Sequence, residues 1–553
     1  MKVILTTANA SYIHKNLALR WLYVSKPDEV DAKILEFTIK EDREKVIEQL
    51  LNENPDVIAF SVYIWNSPII KDWIKEIKQK VPSITLICGG PEATFLDSQW
   101  IDAGADYVVL GEGEQVFWPL ICEGKISSSV TSKITSGTKI AQTDLFYLEQ
   151  LPSPYFLDMD MPSFHLQYLY IESTRGCPFH CTYCLSSLEE GIRLFSDTYM
   201  TALIMQLEKY KPKQIKFLDR TFNLFPTRAL QIAKQLNELR WDASIQFECE
   251  VTSMAQKLVD YFAYQAKKER FRFEVGVQSF QPKTLEAVRR VQNNEQVKHI
   301  LTLWSQSGLI VHADLIAGLP YETLELFLDS YHQLLSTQPA EIQVGILKIL
   351  PKTQMDLTSR RWGIEALQQA PYTIKKTHWL SYDDVEDVSS LAFATDKLYN
   401  IPRCRTLIVQ AFQLGVSVGP ILIAIGHLMK KHDQLQVKDM IQITYEHFKG
   451  VLDENIVRGA LLFDLGEMSK VRPSKWIEDS ISPAITEIIR EQIVSRSELT
   501  YDFITRKAWI ASAYVFQRHG YQARFFMPDK KISYLFNEEG ECIHEQTTRY
   551  RNK

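Results

Sequence analysis

Three cysteines spaced C-x3-C-x2-C constrain this chain more than any other feature of its sequence. They are Cys177, Cys181 and Cys184, and the five remaining cysteines are scattered without forming a second cluster. Three thiolates cannot complete a tetrahedral zinc site without a distant fourth ligand. They can hold three irons of a four-iron cluster, which normally takes one cysteine per iron. The fourth iron then stays open to a small ligand, and an open metal position indicates chemistry rather than scaffolding.

The residues before the cysteines predict where the loop lies in the fold. Residues 169–173 form an apolar, β-rich run, so the loop begins just beyond a predicted strand end, where α/β sheets and barrels place their active sites. On spacing alone, two alternatives stay open. One is a structural zinc knuckle completed by His180 or a distant cysteine, although His180 adjoins Cys181 and is badly placed to share its metal. The other is a set of inert core thiols.

The cysteine loop resembles the cluster motif of the radical S-adenosylmethionine (SAM) enzymes. In that family the open iron chelates the methionine part of SAM. Reductive cleavage then produces a 5′-deoxyadenosyl radical, which abstracts hydrogen from an unactivated carbon. The resemblance implies a 4Fe-4S cluster on the three cysteines, SAM as cofactor, and an electron donor such as flavodoxin or ferredoxin as partner.

Length and composition bound the remaining possibilities. A chain of 553 residues, 45% hydrophobic and 11% aromatic, should fold into about three packed domains. The net charge of −6 argues against nucleic-acid or membrane-surface binding. No apolar run approaches the roughly twenty residues of a membrane span. The first residues enter a strand directly, so we expect no leader peptide and a cytoplasmic location.

Residues 1–150 alternate strand-like and helix-like segments. The predicted strands are 3–6, 32–37, 57–61, 84–88 and 107–110. Such alternation predicts a parallel, doubly wound, Rossmann-like sheet with ligands at the carboxyl ends of its strands. The loops at those ends carry polar residues and glycines, and glycine lets the backbone approach a bulky ligand closely. The candidate ligand-binding residues in these loops are Thr7, Asn9, Ser61, Tyr63, Asn66, Gly89, Gly90, Gly111 and Glu112.

These loops, lying before the cysteine motif, resemble the cobalamin-binding domain that precedes many radical SAM enzymes. The resemblance implies that the nine loop residues contact cobalamin. Domains of this kind that ligate cobalt from below carry an Asp-x-His-x-x-Gly loop after the first strand. Here His14 follows Asn9 without that aspartate or glycine. The resemblance therefore implies cobalamin held without a protein imidazole below the cobalt, and an ordinary hydrogen-bonding role for His14.

A proline-rich linker at 151–165 precedes a second series of strands. Six are predicted, at 169–173, 215–218, 245–250, 273–280, 311–320 and 343–350. Six units are too few for a full eight-unit barrel, so residues 166–353 are predicted to form a partial (β/α)6 barrel. Strict alternation puts Glu248 and Glu250 on the same face of one strand.

The later strands resemble the coproporphyrinogen-dehydrogenase-type branch of radical SAM proteins. That resemblance implies Gln278 and Asp314 on the ribose hydroxyls of SAM and Arg290 on its carboxylate. It also implies Glu250 near the amino group, with Glu248 as the alternative. Asp219 stands where the family has a glycine-rich loop after its second strand, and it joins the predicted SAM-binding set. The competing interpretation of each residue is an ordinary buried ion pair.

Residues 354–553 are predicted to form a mainly helical domain. The predicted helices are 379–399, 404–430, 437–452, 455–465 and 481–494, followed by a mixed end at 523–528 and 532–536. The region resembles an uncharacterised C-terminal domain found on one group of cobalamin-binding radical SAM proteins. It carries no metal spacing, phosphate loop or nucleophile pattern that would predict its role.

Together these features predict a cobalamin-dependent radical SAM enzyme that methylates an unactivated carbon of an unknown small-molecule or peptide substrate. The catalytic residues themselves are not predicted. Radical rearrangement, cyclisation or oxidation fits the residues equally well. A non-catalytic iron–sulfur or cobalamin sensing module is a further alternative. Methylthiolation of transfer RNA is disfavoured, because the first domain lacks the cysteine triad of those enzymes and the charge balance is acidic.

Overall fold

The computed structural model describes residues 1–189, 191–432, 434–467, 483–496, 509–515, 518–526, 530–536 and 542–549. Within this part of the chain, two six-stranded sheets follow each other in sequence. Helices and a four-stranded antiparallel sheet come after them. The predicted α/β class with a mainly helical C-terminal region is confirmed.

The first sheet has the strand order β2-β1-β3-β4-β5-β6. Its strands are β1 Lys2–Asn9, β2 Asp31–Thr38, β3 Val57–Ser61, β4 Thr85–Gly89, β5 Tyr107–Val109 and β6 Val130–Ser132. Its helices are α1 Leu17–Val24, α2 Arg43–Asn52, α3 Ser67–Lys80, α4 Pro91–Phe95, α5 Asp97–Ala103, α6 Phe117–Glu123 and α7 Leu145–Glu149. The first five strands are parallel, as predicted, and the short β6 adds an antiparallel edge.

Buried apolar side chains cover both faces of this sheet. Residues 3–9 of β1 and all of β3 are buried, as expected for central strands of a parallel sheet. One core lies around Trp73 and Trp100, and another around Phe117 and Trp118. The strand order reverses between β1 and β3, and doubly wound sheets bind ligands at such a switch point. The loops after these two strands therefore form the expected crevice.

The second sheet has the order β14-β13-β12-β11-β10-β7, and every neighbouring pair is parallel. Its strands are β7 Leu169–Ile171, β10 Gln214–Phe217, β11 Ser244–Cys249, β12 Phe271–Gln278, β13 Ile310–Ala317 and β14 Glu341–Ile346. The two-residue strands β8 Thr174–Arg175 and β9 Arg193–Leu194 pair beside it. Its helices are α8 Asp197–Tyr210, α9 Pro226–Asn237, α10 Gln256–Asp260, α11 Pro282–Ala287, α12 Asn294–Gln306 and α13 Leu324–Ser336.

Alternation along these strands separates two faces. In β12, Phe271 and Phe273 join the core against the helices, whereas Arg272 and Glu274 lie on the opposite, partly exposed face. In β13 the same alternation buries Val311 on the helix side. The partly exposed face, called the inner face below, therefore collects polar and charged side chains from neighbouring strands.

The C-terminal region continues with helices and ends in strands. Its elements are α14 Gln354–Thr358, β15 Glu365–Ala366, β16 Ile374–Lys376, α15 Tyr382–Ala394, α16 Arg405–Gln413, α17 Val418–Lys430, α18 Val437–Phe448, α19 Glu454–Glu467, α20 Pro483–Arg496, β17 Trp509–Val515, β18 Arg518–Phe526, β19 Lys530–Phe536 and β20 Cys542–Arg549. The single helix predicted over 404–430 is wrong. Gly415, with φ of +84°, separates two helices there. Predicted positions 481–482 and 527–528 lie outside the described residues.

None of the described helices combines the length and the apolar character needed to cross a bilayer.

Candidate active site

The three cysteines lie in a loop between β8 and β9. The loop is held from outside by backbone hydrogen bonds: Thr182 N–H donates to Val288 O at 3.1 Å, and Met355 N–H donates to Thr182 O at 2.8 Å. Within the loop, Cys184 N–H donates to Cys181 O at 3.1 Å. The start of the C-terminal region and the β12–α12 connection therefore both support the cysteine loop.

The thiols are free and close to one another. Cys181 is buried, and Cys177 and Cys184 are half-buried. The pKa of the Cys177 thiol is raised, first by burial and also by the neighbouring sulfurs of Cys184 and Cys181. Among the described residues, no three histidine, cysteine or acidic side chains are arranged to hold a metal ion. A four-iron cluster places each thiolate on a different iron, so its three sulfurs need not converge on one point.

Arg290, a predicted SAM-binding residue, lies near the cysteine loop. Its guanidinium lies near Cys181, Tyr183 and Glu250. Burial lowers the pKa of Arg290, but these neighbours outweigh burial and the net pKa is raised, so the charge is retained. The same guanidinium donates to Gly276 O. A cation beside the open side of a cluster can bind the carboxylate of a chelating amino acid.

Gln278 and Asp314 supply unsatisfied oxygens on the inner face. Gln278 Oε1 and Asp314 Oδ1 are buried atoms that have no hydrogen-bond donor within the described part of the chain. His312 Nε2 lies 3.3 Å from Asp314 Oδ1, but the pair lacks hydrogen-bond geometry. The pKa of Asp314 is raised to about 6, mainly by burial. Buried acceptors without donors are costly, so this arrangement fits a ligand that brings hydroxyl groups, as the ribose of SAM would.

Close packing holds Gln278 in place. Gln278 adopts φ of +69°, which is uncommon for a residue with a side chain. A Cβ atom at Gly276 would lie 2.3 Å from Gln278 Nε2, so a side chain there would displace the amide end of Gln278.

Asp219 is directed away from this group. Its carboxylate accepts hydrogen bonds from Ser173 N–H at 2.9 Å, from the Ser173 hydroxyl, and from Thr174 Oγ1 at 2.8 Å. Asp219 is fully buried, and burial raises its pKa although these donors lower it. Both oxygens are therefore occupied by the strand that leads into the cysteine loop. The geometry gives Asp219 a supporting role in place of the SAM contact expected from the sequence.

Glu248, in β11, and Glu250, in the turn after it, differ in whether their carboxylates are already occupied by hydrogen bonds. Glu250 holds the turn after the strand: its carboxylate accepts from Thr252 N–H at 2.7 Å and from Ser253 N–H at 2.9 Å. Glu248 makes no side-chain hydrogen bond among the described residues and lies near Arg220 and three acidic side chains, Asp219, Glu274 and Asp314. The pKa of Glu248 is raised to about 7, mainly by burial. The structure therefore favours the alternative in which Glu248, rather than Glu250, is the carboxylate available to a ligand.

Tyr63 and Trp65 form the aromatic part of the N-terminal crevice. Their rings stack 4.4 Å apart, and Trp65 remains 47% exposed. The Tyr63 hydroxyl lies near Glu172 and Arg220, which follow β7 and β10, so this crevice faces the carboxyl ends of those strands. Trp65 was not among the predicted residues, because a lone exposed tryptophan after a strand carries no specific motif.

The paired glycines lie at the end of β4 on the same edge. A Cβ at Gly90 would lie 2.6 Å from Val62 O, so the backbone there excludes a side chain. A Cβ at Gly89 would have only Val109 O within 4 Å, at 4.0 Å, so space remains above it. An exposed aromatic stack beside open glycine backbone fits a large planar ligand such as the corrin ring of cobalamin.

Four predicted cobalamin residues use their side chains in hydrogen bonds within the N-terminal domain. Thr7 Oγ1 donates to Ser61 O at 2.7 Å, and the fully buried Asn66 amide donates to Thr7, Ala8 and Ser61. Ser61 Oγ accepts from Asn16, and the Asn9 amide donates to His14 O and Glu36. These side chains shape the crevice from beneath it. The expected direct contacts from Thr7, Asn9, Ser61 and Asn66 are not supported by this geometry.

Gly111 and Glu112 are also turned away from the crevice. A Cβ at Gly111 would lie 2.4 Å from Ala141 O, so this glycine allows the chain to pack on itself. Glu112 accepts from Thr143 N–H at 2.8 Å and from Arg175 Nη1 at 2.9 Å. It also pairs with Arg193. The Glu112 side chain therefore contacts Thr143 and the arginines of β8 and β9, and its cobalamin contact stays a prediction.

The loop after β1 is held by a buried ionic network. Arg20 pairs with Asp160 at 2.7 Å and with Glu36 at 2.8 Å. His14 Nδ1 lies 2.6 Å from the Tyr170 hydroxyl on the second sheet. The pKa of His14 is lowered, mainly by burial. Its hydrogen-bonding partner agrees with the ordinary role expected for His14.

Comparison with known proteins agrees with this two-part arrangement. Residues 3–120 match the B12 binding domain, and residues 171–334 match the radical SAM superfamily. The chain is 24% identical over 347 residues to the cobalamin-dependent radical SAM methyltransferase TokK of Streptomyces tokunonensis, covering 58% of this chain and 51% of TokK. It is 23% identical over 319 residues to the anaerobic magnesium-protoporphyrin IX monomethyl ester cyclase of Rubrivivax gelatinosus, covering 52% of this chain and 55% of the cyclase. The chain thus spans about half the length of these curated relatives.

The fold is similar to that of the cobalamin-dependent SAM radical enzyme OxsB, solved with aqua-cobalamin and SAM bound. The TM-score is 0.60 at 14% identity, with 86% of this chain and 82% of OxsB covered. The two matched families account for the N-terminal sheet and for the cysteine loop with most of the second sheet. The chain therefore carries a B12-binding domain at residues 3–120 ahead of a radical SAM domain at residues 171–334.

Proposed function

We propose that this protein is a cobalamin-dependent radical SAM enzyme in which the following residues hold the cofactors. Cys177, Cys181 and Cys184 hold a 4Fe-4S cluster. Arg290 binds the carboxylate of SAM, and Gln278 and Asp314 accept hydrogen bonds from its ribose. The single observation that carries the proposal is this convergence: a half-buried guanidinium lies near one of three free thiols, beside two buried oxygens that have no donor among the described residues.

The cofactors would meet between the two sheets. When bound, the cluster, SAM and cobalamin supply a radical that removes hydrogen from an unactivated carbon and a methyl group that replaces it. The chain orients SAM through Arg290, presents Tyr63 and Trp65 to the corrin, and keeps His14 on Tyr170 rather than on cobalt. Glu248, which lies near Asp314, is the carboxylate available to the amino group of SAM.

Methylation is the preferred outcome because TokK is a methyltransferase. The similarity to a cyclase supports a second candidate, radical cyclisation or another radical conversion without net methylation. The substrate is an unidentified small molecule or peptide. We further propose reduction by flavodoxin or ferredoxin, a cytoplasmic location, and a division into domain 1–150, linker 151–165, barrel 166–353 and C-terminal domain 354–553. The non-catalytic sensing module is the alternative that the experiment below must exclude.

Anaerobic reconstitution with iron and sulfide tests the proposal. We expect about four irons per chain, charge-transfer absorption near 400 nm, and SAM cleavage upon reduction. Replacing Cys177, Cys181 and Cys184 together by Ala should abolish all three, because these thiols are the proposed ligands. Cys122→Ala, at an exposed cysteine in α6, is the matched control. Unchanged iron and absorption in the triple variant would refute the cluster assignment, and an intact cluster that never cleaves SAM would favour the sensing module.

A further inference from the structure

A group of ionic side chains joins the N-terminal domain to the strand that precedes the cysteines. Arg175 Nη1 lies 2.9 Å from Glu112 and 3.0 Å from Glu114, and Arg175 Nη2 lies 3.0 Å from Glu172. Glu112 and Glu114 belong to the loop after β5, whereas Arg175 and Glu172 belong to the second domain. The Arg175 side chain is only 11% exposed. A buried guanidinium surrounded by carboxylates is strongly held, because losing a partner leaves a charge uncompensated.

Arg193 adds a second link from the same small sheet. It pairs with Glu112 and donates to Thr143 O at 2.7 Å. Strands β8 and β9 place Arg193 directly opposite Arg175 in register. Burial raises the pKa of Glu112, but the hydrogen bond from Arg193 and the charge of Arg175 outweigh it, so the net pKa is lowered. Glu112 is thus an ionised carboxylate shared between two arginines of the other domain.

Only one residue separates this ionic group from the first cysteine of the cluster loop. That residue is Gly176, which adopts φ of +92°. A Cβ at Gly176 would lie 2.2 Å from Gly191 O, so the backbone is packed tightly there. Asp219 holds the other side of Arg175 through Ser173 and Thr174. Because the chain between Arg175 and Cys177 has little freedom, a displacement of Arg175 must be passed on to Cys177.

We propose that Glu112, with Arg175 and Arg193, forms an interdomain latch that sets the position of the cluster loop relative to the ligand-binding edge of the N-terminal sheet. Glu112 is a positioning residue in this scheme and touches neither cofactor. The inference rests on the proposed function, because the spacing matters only if a cluster and cobalamin occupy the two domains. It explains why a carboxylate in a predicted cobalamin loop points away from the crevice.

The test compares Glu112→Gln and Arg193→Gln with two controls. Arg193→Lys keeps the charge. Glu53→Gln removes a carboxylate that pairs with two lysines inside the N-terminal domain and crosses no domain boundary. Hydrogen–deuterium exchange on the full chain should become roughly tenfold faster in the two latch variants at both 111–114 and 174–177. Both controls should exchange as the parent does.

A second readout measures the spacing itself. In protein reconstituted with cluster and cobalamin, pulsed electron paramagnetic resonance gives the distance distribution between the reduced cluster and cobalt(II). Glu112→Gln and Arg193→Gln should broaden it, whereas SAM cleavage per reconstituted cluster should stay within about twofold of the parent, because the proposed SAM ligands all lie in the second domain. The latch would be overturned if the two variants exchanged at the parent's rate, if their faster exchange were confined to 111–114, or if the distance distribution did not change. If the parent holds no cluster or cobalamin, the proposed function fails instead, and exchange still decides whether the latch joins the domains.

Discussion

Asp219 gives the sharpest test, because the sequence and the structure assign it different roles. The resemblance implies contact with SAM, whereas the geometry places both carboxylate oxygens on Ser173 and Thr174. In Asp219→Asn only one oxygen remains. If that oxygen keeps the hydroxyl donors, the new NH2 group faces Ser173 N–H, and a buried backbone donor is orphaned.

The magnitude follows from these contacts. An orphaned buried N–H costs about 1–3 kcal/mol, and exchanging charged for neutral hydrogen bonds loses about 1 kcal/mol more at each remaining bond. Relief of the desolvation that raises the Asp219 pKa offsets part of this loss. We therefore expect the segment 169–176 to lose about 2–4 kcal/mol of local stability. The corresponding acceleration of amide exchange lies between about thirtyfold and several hundredfold.

The assay is hydrogen–deuterium exchange of 169–176 together with iron content and SAM affinity. Asp219→Asn should exchange faster and retain less iron, while each chain that keeps its cluster should bind SAM as the parent does. Asp102→Asn, at an exposed position in α5, is the matched control. If Asp219→Asn exchanged at the parent's rate and held as much iron but bound SAM more weakly, the supporting role would be refuted. The SAM contact that the resemblance implies would then be the better assignment.

Three further results are expected. Arg290→Ala and Asp314→Asn should each weaken SAM binding roughly ten- to a hundredfold with the cluster intact, since each loses a hydrogen bond to a charged or polar group. Titration of both variants with SAM, with Lys430→Ala as the control, checks this. Because the pKa of Glu248 is raised from 4.5 to about 7, the folded state binds a proton that the unfolded chain releases, and stability falls as pH rises between these values. Glu248→Gln should flatten that fall in unfolding experiments at pH 5 and pH 8, and an unchanged slope would contradict the raised pKa. His14→Ala should leave the cobalt(II) resonance spectrum unchanged, whereas loss of a nitrogen triplet present in the parent would show that His14 ligates cobalt.

Much of the fold could be predicted because its signals are local. Strand β3 has the predicted bounds Val57–Ser61, and the second sheet has the six predicted strands. Strand β6 escaped prediction because three residues carry too little periodicity. The helix break at Gly415 was missed because one glycine in an apolar run is compatible with either a helix or a turn.

The residues of the candidate site also differ in how well the sequence predicted their surroundings. Arg290 was expected beside SAM, and the structure places it near Cys181. Glu112 follows a strand as a ligand-binding residue would, but its partners Arg175 and Arg193 lie more than sixty positions away. No pattern within one loop indicates which direction such a side chain takes, and the same limit applies to Asp219.

The sequence by itself determined the chemistry available to this protein. The spacing of Cys177, Cys181 and Cys184 and the alternation of strands and helices are properties of neighbouring residues, and they indicate a three-thiolate loop at a strand end whatever surrounds it. The tertiary structure decided which polar side chains remain available to a ligand. That outcome depends on hydrogen-bond partners brought from distant segments: a carboxylate whose oxygens are occupied becomes a support, as in Asp219, and one without donors, such as Glu248, remains open.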